Sequence, residues 1–322
     1  MVMKTPAIAF ACLTLAVTAP AVAQAEDPAC SIELIVLGVG QDGGAPQLGN
    51  SADPAWAAPS LRRLATSIAV VDHQTGERYL FEATPDIREQ LYRLDQIAPT
   101  GRRPGLDGIF LTHGHMGHYT GLMFLGHESM GAQGVPVFAM PRMAEYLTSN
   151  GPWSQLVRYE NVALQPLEDG VAAQAGRLSV TPIAVPHRQE FTEVVGYRIE
   201  TPGRSAFFLP DIDSWEEWET WEGGTALRIE DVIASVDVAY LDATFFANGE
   251  IPGRDMSGFP HPMIAHSMAR FADLPESERA KIRFIHVNHT NPVRYPDAPE
   301  REQVEAAGFN VADEGERVCL AD

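Results

Sequence analysis

The sequence has few cysteines, few basic residues relative to acidic ones, and no apolar run long enough to span a bilayer comfortably. Its 322 residues include three cysteines, and 23 lysines and arginines stand against 43 aspartates and glutamates. The formal net charge of −20 repels phosphate backbones and anionic membrane faces, so we expect no nucleic-acid partner and attribute the charge mainly to solubility. The apolar content of 45% is ordinary for a globular protein.

The N-terminal segment has the pattern of a secretory signal peptide. Lys4 precedes a short apolar run at 7–17, and small residues follow at 21–25. We therefore predict that residues 1–25 are a signal peptide, with an uncleaved membrane anchor as the alternative. The mature protein is expected in the periplasm or outside the cell, with no membrane attachment after cleavage.

Two cysteines remain after the predicted cleavage, one near each end of the mature chain. Cys12 lies within the signal peptide, whereas Cys30 and Cys319 lie outside it. An oxidising compartment permits a disulfide between them, which would close a very long loop and contribute about 4–5 kcal/mol in the chain-entropy model. Two buried free thiols are the alternative, because the sequence does not show whether the chain ends are neighbours.

The mature chain alternates sets of apolar strands with helices, which indicates an α+β fold with packed sheets inside. The glycine-rich loop after the first strand lacks the helix of a dinucleotide fingerprint. We find no linker or repeat, so residues 28–322 are predicted to form one domain. Strands are predicted at 31–39, 66–71, 79–81, 106–111, 178–185, 194–199, 206–209, 236–241 and 282–287 and near 311 and 318, and helices from 84 and at 121–130, 141–149, 227–234 and 300–307.

Three histidines in six residues are the strongest functional signal. His113, His115 and His118 directly follow an apolar strand, within His-Gly-His-Met-Gly-His. Imidazole is the commonest metal ligand among side chains, and three such rings at this spacing cannot all face one core. The motif therefore predicts a metal site, with a solvated polar loop as the alternative.

Further candidate ligands follow later strands. His187, Asp211, and the pair His286 and His289 each lie just past an apolar run. Side chains from successive strand ends can meet at one edge of a sandwich. Histidines with one carboxylate are a donor set suited to zinc, iron or manganese. His286 lies nearer its strand and is the preferred ligand of the last pair.

This order of motifs resembles the metallo-β-lactamase-fold superfamily, whose signature is H-x-H-x-D-H, a later His, an Asp and a final His, all after strands. The resemblance implies an αββα sandwich, with two mixed sheets flanked by helices and a metal site at one sheet edge. Several segments also resemble the PqqB-like branch, which is linked to synthesis of pyrroloquinoline quinone. They are Leu37-Gly38 with 43–47, 67–70, 83–88, 118–122, 241–244 and 286–292.

Three departures from these families affect the expected chemistry. Gly117 occupies the signature position of the Asp that binds a second metal, so the sequence leaves open whether the protein binds one ion or two. Residues 50–58 lack the cysteine cluster of PqqB proteins, so we predict no structural zinc site there. The predicted export also differs from the cytoplasmic PqqB type, so fold is inferred more safely than pathway.

A second pair of residues resembles phosphodiesterase branches of the superfamily. Asp242, in Leu-Asp-Ala-Thr-Phe, resembles the H-E-A-T-F segment of those branches. His261, in Pro-His-Pro, lies where they keep a further histidine that handles the leaving group or a phosphate oxygen. A buried turn-capping Asp and a loop histidine are the alternative.

Three histidines without such context are predicted to lie on the surface, and three tryptophans are predicted to form one helical face, with an aromatic wall beside the metal as the alternative. These are His73, His127 and His266, and Trp215, Trp218 and Trp221.

We predict an exported metal-dependent hydrolase that attacks a small ester, lactone, amide or phosphodiester with a metal-bound hydroxide. Its cofactor is predicted to be one or two zinc ions, with iron or manganese possible. Asp211 would orient the hydroxide, and His261, oriented by Asp242, would stabilise developing charge. The alternatives are a PqqB-like iron-dependent oxygenase acting on a quinone precursor and a non-catalytic carrier of a quinone or metal. Oligomeric state is not indicated.

Overall fold

The computed structural model describes residue 1 and residues 30–322, so nearly all of the predicted signal peptide lies outside the described residues. Seven strands form the first sheet, in the order β14-β1-β2-β3-β4-β5-β6. The β3–β4, β4–β5 and β5–β6 pairs are parallel and the others antiparallel. The strands are β1 (Ile32–Gly38), β2 (Ser67–Asp72), β3 (Glu77–Phe81), β4 (Gly108–Phe110), β5 (Val135–Ala139), β6 (Val162–Pro166) and β14 (Arg317–Ala321).

The second sheet repeats this plan. Its seven strands lie in the order β13-β12-β11-β10-β9-β8-β7, and again three neighbouring pairs, from β10 to β13, are parallel. The carboxyl ends of these parallel strands therefore meet at one edge of the sheet. The strands are β7 (Ala173–Ala175), β8 (Leu178–Ala184), β9 (Val195–Glu200), β10 (Ser205–Leu209), β11 (Val238–Asp242), β12 (Ile282–Ile285) and β13 (Asn310–Val311).

Helices cover the outer face of each sheet. The described residues contain α1 (Ile87–Ile97), α2 (Met116–Tyr119), α3 (Pro141–Ser149), α4 (Trp153–Arg158), α5 (Trp215–Thr220), α6 (Ile229–Ala234), α7 (Ile264–Arg270), α8 (Glu276–Arg279) and α9 (Pro299–Ala306). Short 3-10 helices span Pro54–Trp56, Pro59–Leu61, Thr120–Leu125 and Pro292–Arg294. None of the helices in this part of the chain is long and apolar enough to cross a bilayer.

Three apolar clusters hold four layers together. The middle one packs the two sheets face to face, with Phe81 of β3 against Tyr197 of β9 at 5.6 Å between ring centroids. The second lies between the first sheet and its helices, where Leu94 of α1 is fully buried. The third lies between the second sheet and its helices. The predicted αββα sandwich of two mixed sheets is therefore confirmed.

Most predicted elements are present, with differences where the sequence signal is short. The predicted helix at 121–130 is only a 3-10 helix at Thr120–Leu125, and α2 precedes it. The apolar patterns did not predict β5, β6, β7, α4, α7 and α8, of which the strands and α8 are five residues or shorter. Such short segments show too few periods of an apolar pattern to be recognised.

The last strand brings the chain ends together. β14 pairs antiparallel with β1, and Cys319 of β14 forms a disulfide with Cys30, which precedes β1. Their Cα atoms lie 5.6 Å apart, within the range that a disulfide requires. Of the two alternatives for these cysteines, the structure contains the disulfide.

Candidate metal centre

The strand ends of both sheets deliver polar side chains to one edge of the sandwich. His113 follows β4, Asp211 follows β10, Asp242 ends β11 and His286 follows β12. In the second sheet these residues come from three neighbouring parallel strands, whose carboxyl ends share an edge. A hydrogen bond from Val195 N to Thr112 O ties the segment before His113 to the second sheet.

Three histidines form the first group of potential ligands. His113, His115 and His187 each offer a nitrogen within 4.8 Å of the others. Nε2 of His113 lies 2.9 Å from Nδ1 of His115. Asp211 completes the group, because its Oδ1 lies 3.8 Å from Nε2 of His187 and its Oδ2 lies 3.9 Å from Nε2 of His113. Three histidine nitrogens that meet at one point are a donor set found in zinc sites of proteins.

A second group lies on the other side of Asp211. Oδ2 of Asp211 is 3.1 Å from Nε2 of His118 and 3.3 Å from Nε2 of His286. Asp42, from the loop after β1, approaches the same place with Oδ1 3.4 Å from Nε2 of His118. Asp211 therefore lies between two sets of nitrogen donors and can contact an ion in either set.

Carboxylates fix the orientation of two histidines in the first group. Oε2 of Glu190 lies 3.0 Å from Nε2 of His115, and Oδ1 of Asp213 lies 2.8 Å from Nδ1 of His187. An ionised carboxylate only accepts hydrogen bonds, so each ring must donate from that nitrogen. The other nitrogen of each ring then presents a lone pair to the centre of the site, as metal-binding histidines require.

A hydroxyl fixes His286 in the second group. Thr244 Oγ1 donates to Oδ1 of Asp242 at 2.7 Å, which uses its one proton. The same oxygen lies 3.0 Å from Nδ1 of His286 and must therefore accept from that ring. Nε2 of His286 is left free toward Asp211. The residue adopts a left-handed φ of 67°, a conformation that is uncommon for a side-chain-bearing residue and is often found at functional sites.

Burial and mutual charge shift the pKa values in this cluster. Burial lowers the pKa of His113 well below its usual value and also lowers the pKa of His286. Burial opposes ionisation of Asp211, but His286 and His118 outweigh it and hold the pKa of that carboxyl well below its usual range. For His118, Asp211 and Glu82 outweigh the effect of burial, so its pKa rises well above the usual value. Neutral imidazoles and an ionised carboxylate are the metal-binding forms, so these shifts favour binding by His113, His286 and Asp211, whereas His118 would release a proton on binding an ion.

The cluster leaves several buried polar atoms without a hydrogen-bond partner among the described residues. They include Nε2 of His118, His187 and His286 and Oδ2 of Asp211. An unsatisfied buried polar atom costs about 1–3 kcal/mol, so four at one point would be strongly unfavourable without a ligand. Each of the three nitrogens lies within 4 Å of a carboxylate oxygen of Asp211, and these donors suit a divalent transition metal. The residues therefore fit the metal that the sequence predicts.

Asp242 and His261 form a pair beside this centre. Oδ2 of Asp242 accepts a hydrogen bond from Nδ1 of His261 at 2.8 Å, and the same ring nitrogen lies 3.7 Å from Oδ1 of Asp211. Burial disfavours the charged ring, but Asp242 outweighs it and raises the pKa of His261. Asp242 also accepts from Ile212 N at 3.1 Å, which ties it to the segment that carries Asp211.

The remaining predicted residues lie elsewhere. Of the late pair, only His286 reaches the centre. His289 lies three residues further along, beside Arg294 and Asp53, and is in none of the potential ligand groups of the described residues. The turn after β12 separates the two histidines. The prediction of His289 as a metal ligand is therefore wrong.

The histidines predicted to be surface residues do lie outside the centre. His73 pairs with Glu33, His127 packs on Tyr159 and His266 pairs with Glu216. Trp215 and Trp218 of α5 are fully buried in the apolar cluster beneath the second sheet. Trp215 and Trp218 share a helical face, as predicted, and lie in the core instead of forming an aromatic wall at the centre. Trp221 follows the end of α5 and is partly buried, so it is not part of that helical face.

Four carboxylates at the centre were not predicted from the sequence: Asp42, Glu82, Glu190 and Asp213. Glu190 lies three residues after His187, and Asp213 lies two residues after Asp211. This closeness in sequence to candidate ligands could have identified both acids. Asp42 lies between glycines in the first loop and gave no comparable signal. Glu82 is fully buried with Oε2 3.6 Å from Nδ1 of His118.

Exposed side chains adjoin two of the candidate ligands along the chain. Met116 follows His115, Arg188 follows His187, and both side chains are exposed. Arg188 makes no ion pair with any residue that the structure describes. Its positive charge acts on His115 and His261, lowering the pKa that each would otherwise have.

Comparisons with known proteins agree with this architecture. The family described as "Beta-lactamase superfamily domain" matches residues 77–281. Coenzyme PQQ synthesis protein B of Methylobacterium nodulans is 30% identical over 317 residues, which cover 88% of this chain and 98% of that protein. The protein of the same name from Methylorubrum extorquens strain PA1 is 26% identical, with the same coverage of both chains.

Two solved structures show the same fold. Zn²⁺-bound PqqB from Methylobacterium extorquens has a TM-score of 0.72 at 24% identity and covers 89% of this chain and 99% of its own. A diphosphatase from the PhnP family has a TM-score of 0.61 at 24% identity and covers 89% of this chain and 96% of its own. At this level of identity the structures establish the fold, not the activity.

Proposed function

Because this chain belongs to the β-lactamase superfamily, and within it to the PqqB-like family, we propose that it is a metal-dependent hydrolase. The observation that carries the proposal is the approach of three histidine nitrogens, from His113, His115 and His187, to one carboxylate, Asp211. Zinc is the proposed metal, with iron and manganese also compatible with these donors. The proposed substrate is a small ester, lactone, amide or phosphodiester.

A divalent ion held by these residues would lower the pKa of a coordinated water toward about 7 and so supply a nucleophile at neutral pH. The protein's own part is to hold the donors and orient the reactants. Glu190 and Asp213 keep His115 and His187 in the tautomers that bind metal. Asp211, with its oxygens directed at both histidine groups, is placed to orient the attacking water.

His261 is the proposed proton donor to the leaving group. Asp242 holds Nδ1 of its ring, so Nε2 is the nitrogen available to the substrate. The side chain is buried but lies beside Asp211, within the same site. A positioned imidazole of this kind contributes about 10²–10⁴-fold to a hydrolysis rate.

The exposed residue beside His187 favours a substrate with an anionic group. The chain carries 43 acidic against 23 basic side chains, yet the exposed residue next to His187 is Arg188. A guanidinium binds phosphate and carboxylate oxygens in pairs. Among the proposed substrates this supports a phosphodiester or another anionic ester, and the structural neighbour described as a diphosphatase is consistent with such chemistry.

The experiment removes one ligand of the first group. We expect His115→Ala to remove the ion of the first group, measured by elemental analysis as a loss of about one ion per chain, and to abolish turnover of bis(p-nitrophenyl) phosphate and p-nitrophenyl acetate. His127→Ala, in an exposed histidine outside the centre, is the matched control and should change neither. Full turnover by a His115→Ala protein that has lost the ion of the first group would refute the proposal.

A second candidate function is oxygen-dependent chemistry on a quinone precursor, as in the PqqB-like alternative. It is favoured by the similarity to coenzyme PQQ synthesis protein B over 88% of this chain. Iron in protein purified without added metal, together with oxygen uptake, would support this candidate. Zinc together with hydrolysis would support the first. Stoichiometric binding of a quinone or metal without any turnover would indicate the non-catalytic carrier.

We also propose that the protein acts after export, in the periplasm or outside the cell, on a small-molecule substrate. The disulfide between Cys30 and Cys319 supports this location, because such bonds persist in oxidising compartments. Cell fractionation of the producing organism, followed by mass determination of the mature N-terminus, tests both the location and the proposed cleavage near residue 25.

A further inference from the structure

Position 117 cannot carry the carboxylate that the family signature places there. A Cβ atom built on Gly117 would lie 2.5 Å from Oδ1 of Asp42 and closer still to the Cα atom of that residue. Real Cβ atoms essentially never approach other atoms so closely. The space beside Gly117 is therefore filled by the side chain and backbone of Asp42.

Asp42 brings its carboxylate to the nitrogens that a second ion would use. Its ligand oxygen and the Nε2 atoms of His118 and His286 lie within 4.8 Å of one another. Both histidines are buried, and neither Nε2 has a hydrogen-bond partner among the described residues. The side chain of Asp42 itself is about half exposed, so an ion could enter from that side.

The loop that carries Asp42 is attached to the segment that carries His286. Gln41 N donates to Val287 O at 2.9 Å, and Val287 N donates to Val39 O at 2.8 Å. Asn288 Nδ2 also donates to Oε1 of Gln41. Asp42 has a left-handed φ of 43°, which directs the chain around a tight turn between the surrounding glycines. The position of Asp42 is therefore fixed by its neighbours.

We propose that Asp42 is the carboxylate ligand of a second divalent cation, whose other ligands are His118, Asp211 and His286. It replaces, from a different loop, the carboxylate that Gly117 lacks. Two imidazoles and two carboxylates suit zinc, manganese or iron. The proposal rests on the metal-dependent function above, since Asp211 would be shared with the first ion.

The first test changes the charge of the carboxylate and little else. Asparagine has nearly the shape of aspartate and tolerates the left-handed conformation, so Asp42→Asn should keep the loop intact. We expect elemental analysis of protein loaded with Zn²⁺ and then dialysed to fall from about two ions per chain to about one. The d–d absorption of Co²⁺-loaded protein should lose the contribution of one site.

The second test removes no ligand. Gly117 lies in α2 with an ordinary helical conformation, so Gly117→Ala is tolerated by its own backbone. Its new methyl group must instead displace Asp42, which predicts the same loss of one ion. Two substitutions more than 70 residues apart in sequence then share one effect. If either variant fails to fold by circular dichroism, the other decides.

Asp297→Asn, at an exposed acid away from the centre, is the matched control and should retain about two ions. Retention of both ions by Asp42→Asn would overturn the proposal. A wild-type protein with one ion, which His115→Ala removes, would also overturn it while leaving the proposed hydrolase intact. A wild-type protein that binds no ion would overturn both.

Discussion

Asp213 accepts a hydrogen bond from Nδ1 of His187, with 2.8 Å between the two atoms, from a loop that follows β10. The bond fixes the tautomer that leaves Nε2 of His187 directed at Asp211. Two loops that are 26 residues apart in sequence thus act as one unit at the metal centre. Asp213, which orients His187, is also only two residues from Asp211 in the sequence.

This relationship gives the first prediction. We expect Asp213→Asn to weaken the affinity of the first site for Zn²⁺ by about 10–100-fold, as loss of an orienting carboxylate does in other metal sites. Competition with a chromogenic chelator measures the affinity. Asp273→Asn, at an exposed acid, is the control. An unchanged affinity in the Asp213 variant would show that the hydrogen bond does not orient His187.

The second prediction separates proton transfer from metal binding. His261→Ala should lower kcat by about 10²–10⁴-fold while the metal content stays at the wild-type level, because Asp211 and the other ligands are untouched. Asp242→Asn should lower kcat by a smaller factor, since it keeps the imidazole of His261 and removes the carboxylate charge beside its Nδ1. Loss of metal together with activity would instead identify His261 as a ligand.

The third prediction concerns a buried ion pair away from the centre. Nη2 of Arg294 donates to Oδ2 of Asp53 at 2.7 Å, and both side chains are buried. Asp53→Asn keeps an acceptor for Ala55 N but leaves the guanidinium without its counter-charge. We expect a loss of about 3–5 kcal/mol in the free energy of unfolding at neutral pH, measured by urea denaturation.

The pH dependence of this pair has a definite sign. Burial opposes ionisation of Asp53, but its bonds to Arg294 and Ala55 outweigh that and lower its pKa below the ordinary value of 3.8. A lowered carboxyl pKa in the folded state stabilises the protein above the unfolded pKa, and this stability is lost as the pH falls through the folded value. The difference between wild type and Asp53→Asn should therefore shrink below about pH 4. A constant difference down to about pH 3 would contradict this assignment.

The fourth prediction concerns the disulfide. The bond between Cys30 and Cys319 closes a loop with a sequence separation of 289. We expect the double variant Cys30→Ala/Cys319→Ala to unfold at lower urea concentration, with a loss of about 2–5 kcal/mol. Dithiothreitol should lower the midpoint for wild type but not for the variant. Equal midpoints for oxidised wild type and the variant would show that the bond contributes nothing.

The local sequence was sufficient to predict most of the fold and most of the histidines that gather at one edge of the sandwich. Apolar runs predicted the strands before His113, His187, Asp211 and His286, because a strand and the polar residue that ends it are both read from consecutive positions. The weaker elements, such as the three-residue strand β7, carry too little pattern to be read in this way.

The sequence by itself determined the ligand types, their order along the chain and the sandwich that holds them, because each depends on short-range patterns and on a family signature. Only the tertiary structure decided which late histidine reaches Asp211, that Cys30 pairs with Cys319, and that Asp42 fills the space beside Gly117. These are contacts between segments distant in sequence. They depend on how loops pack at the sheet edge, and no local pattern specifies that packing.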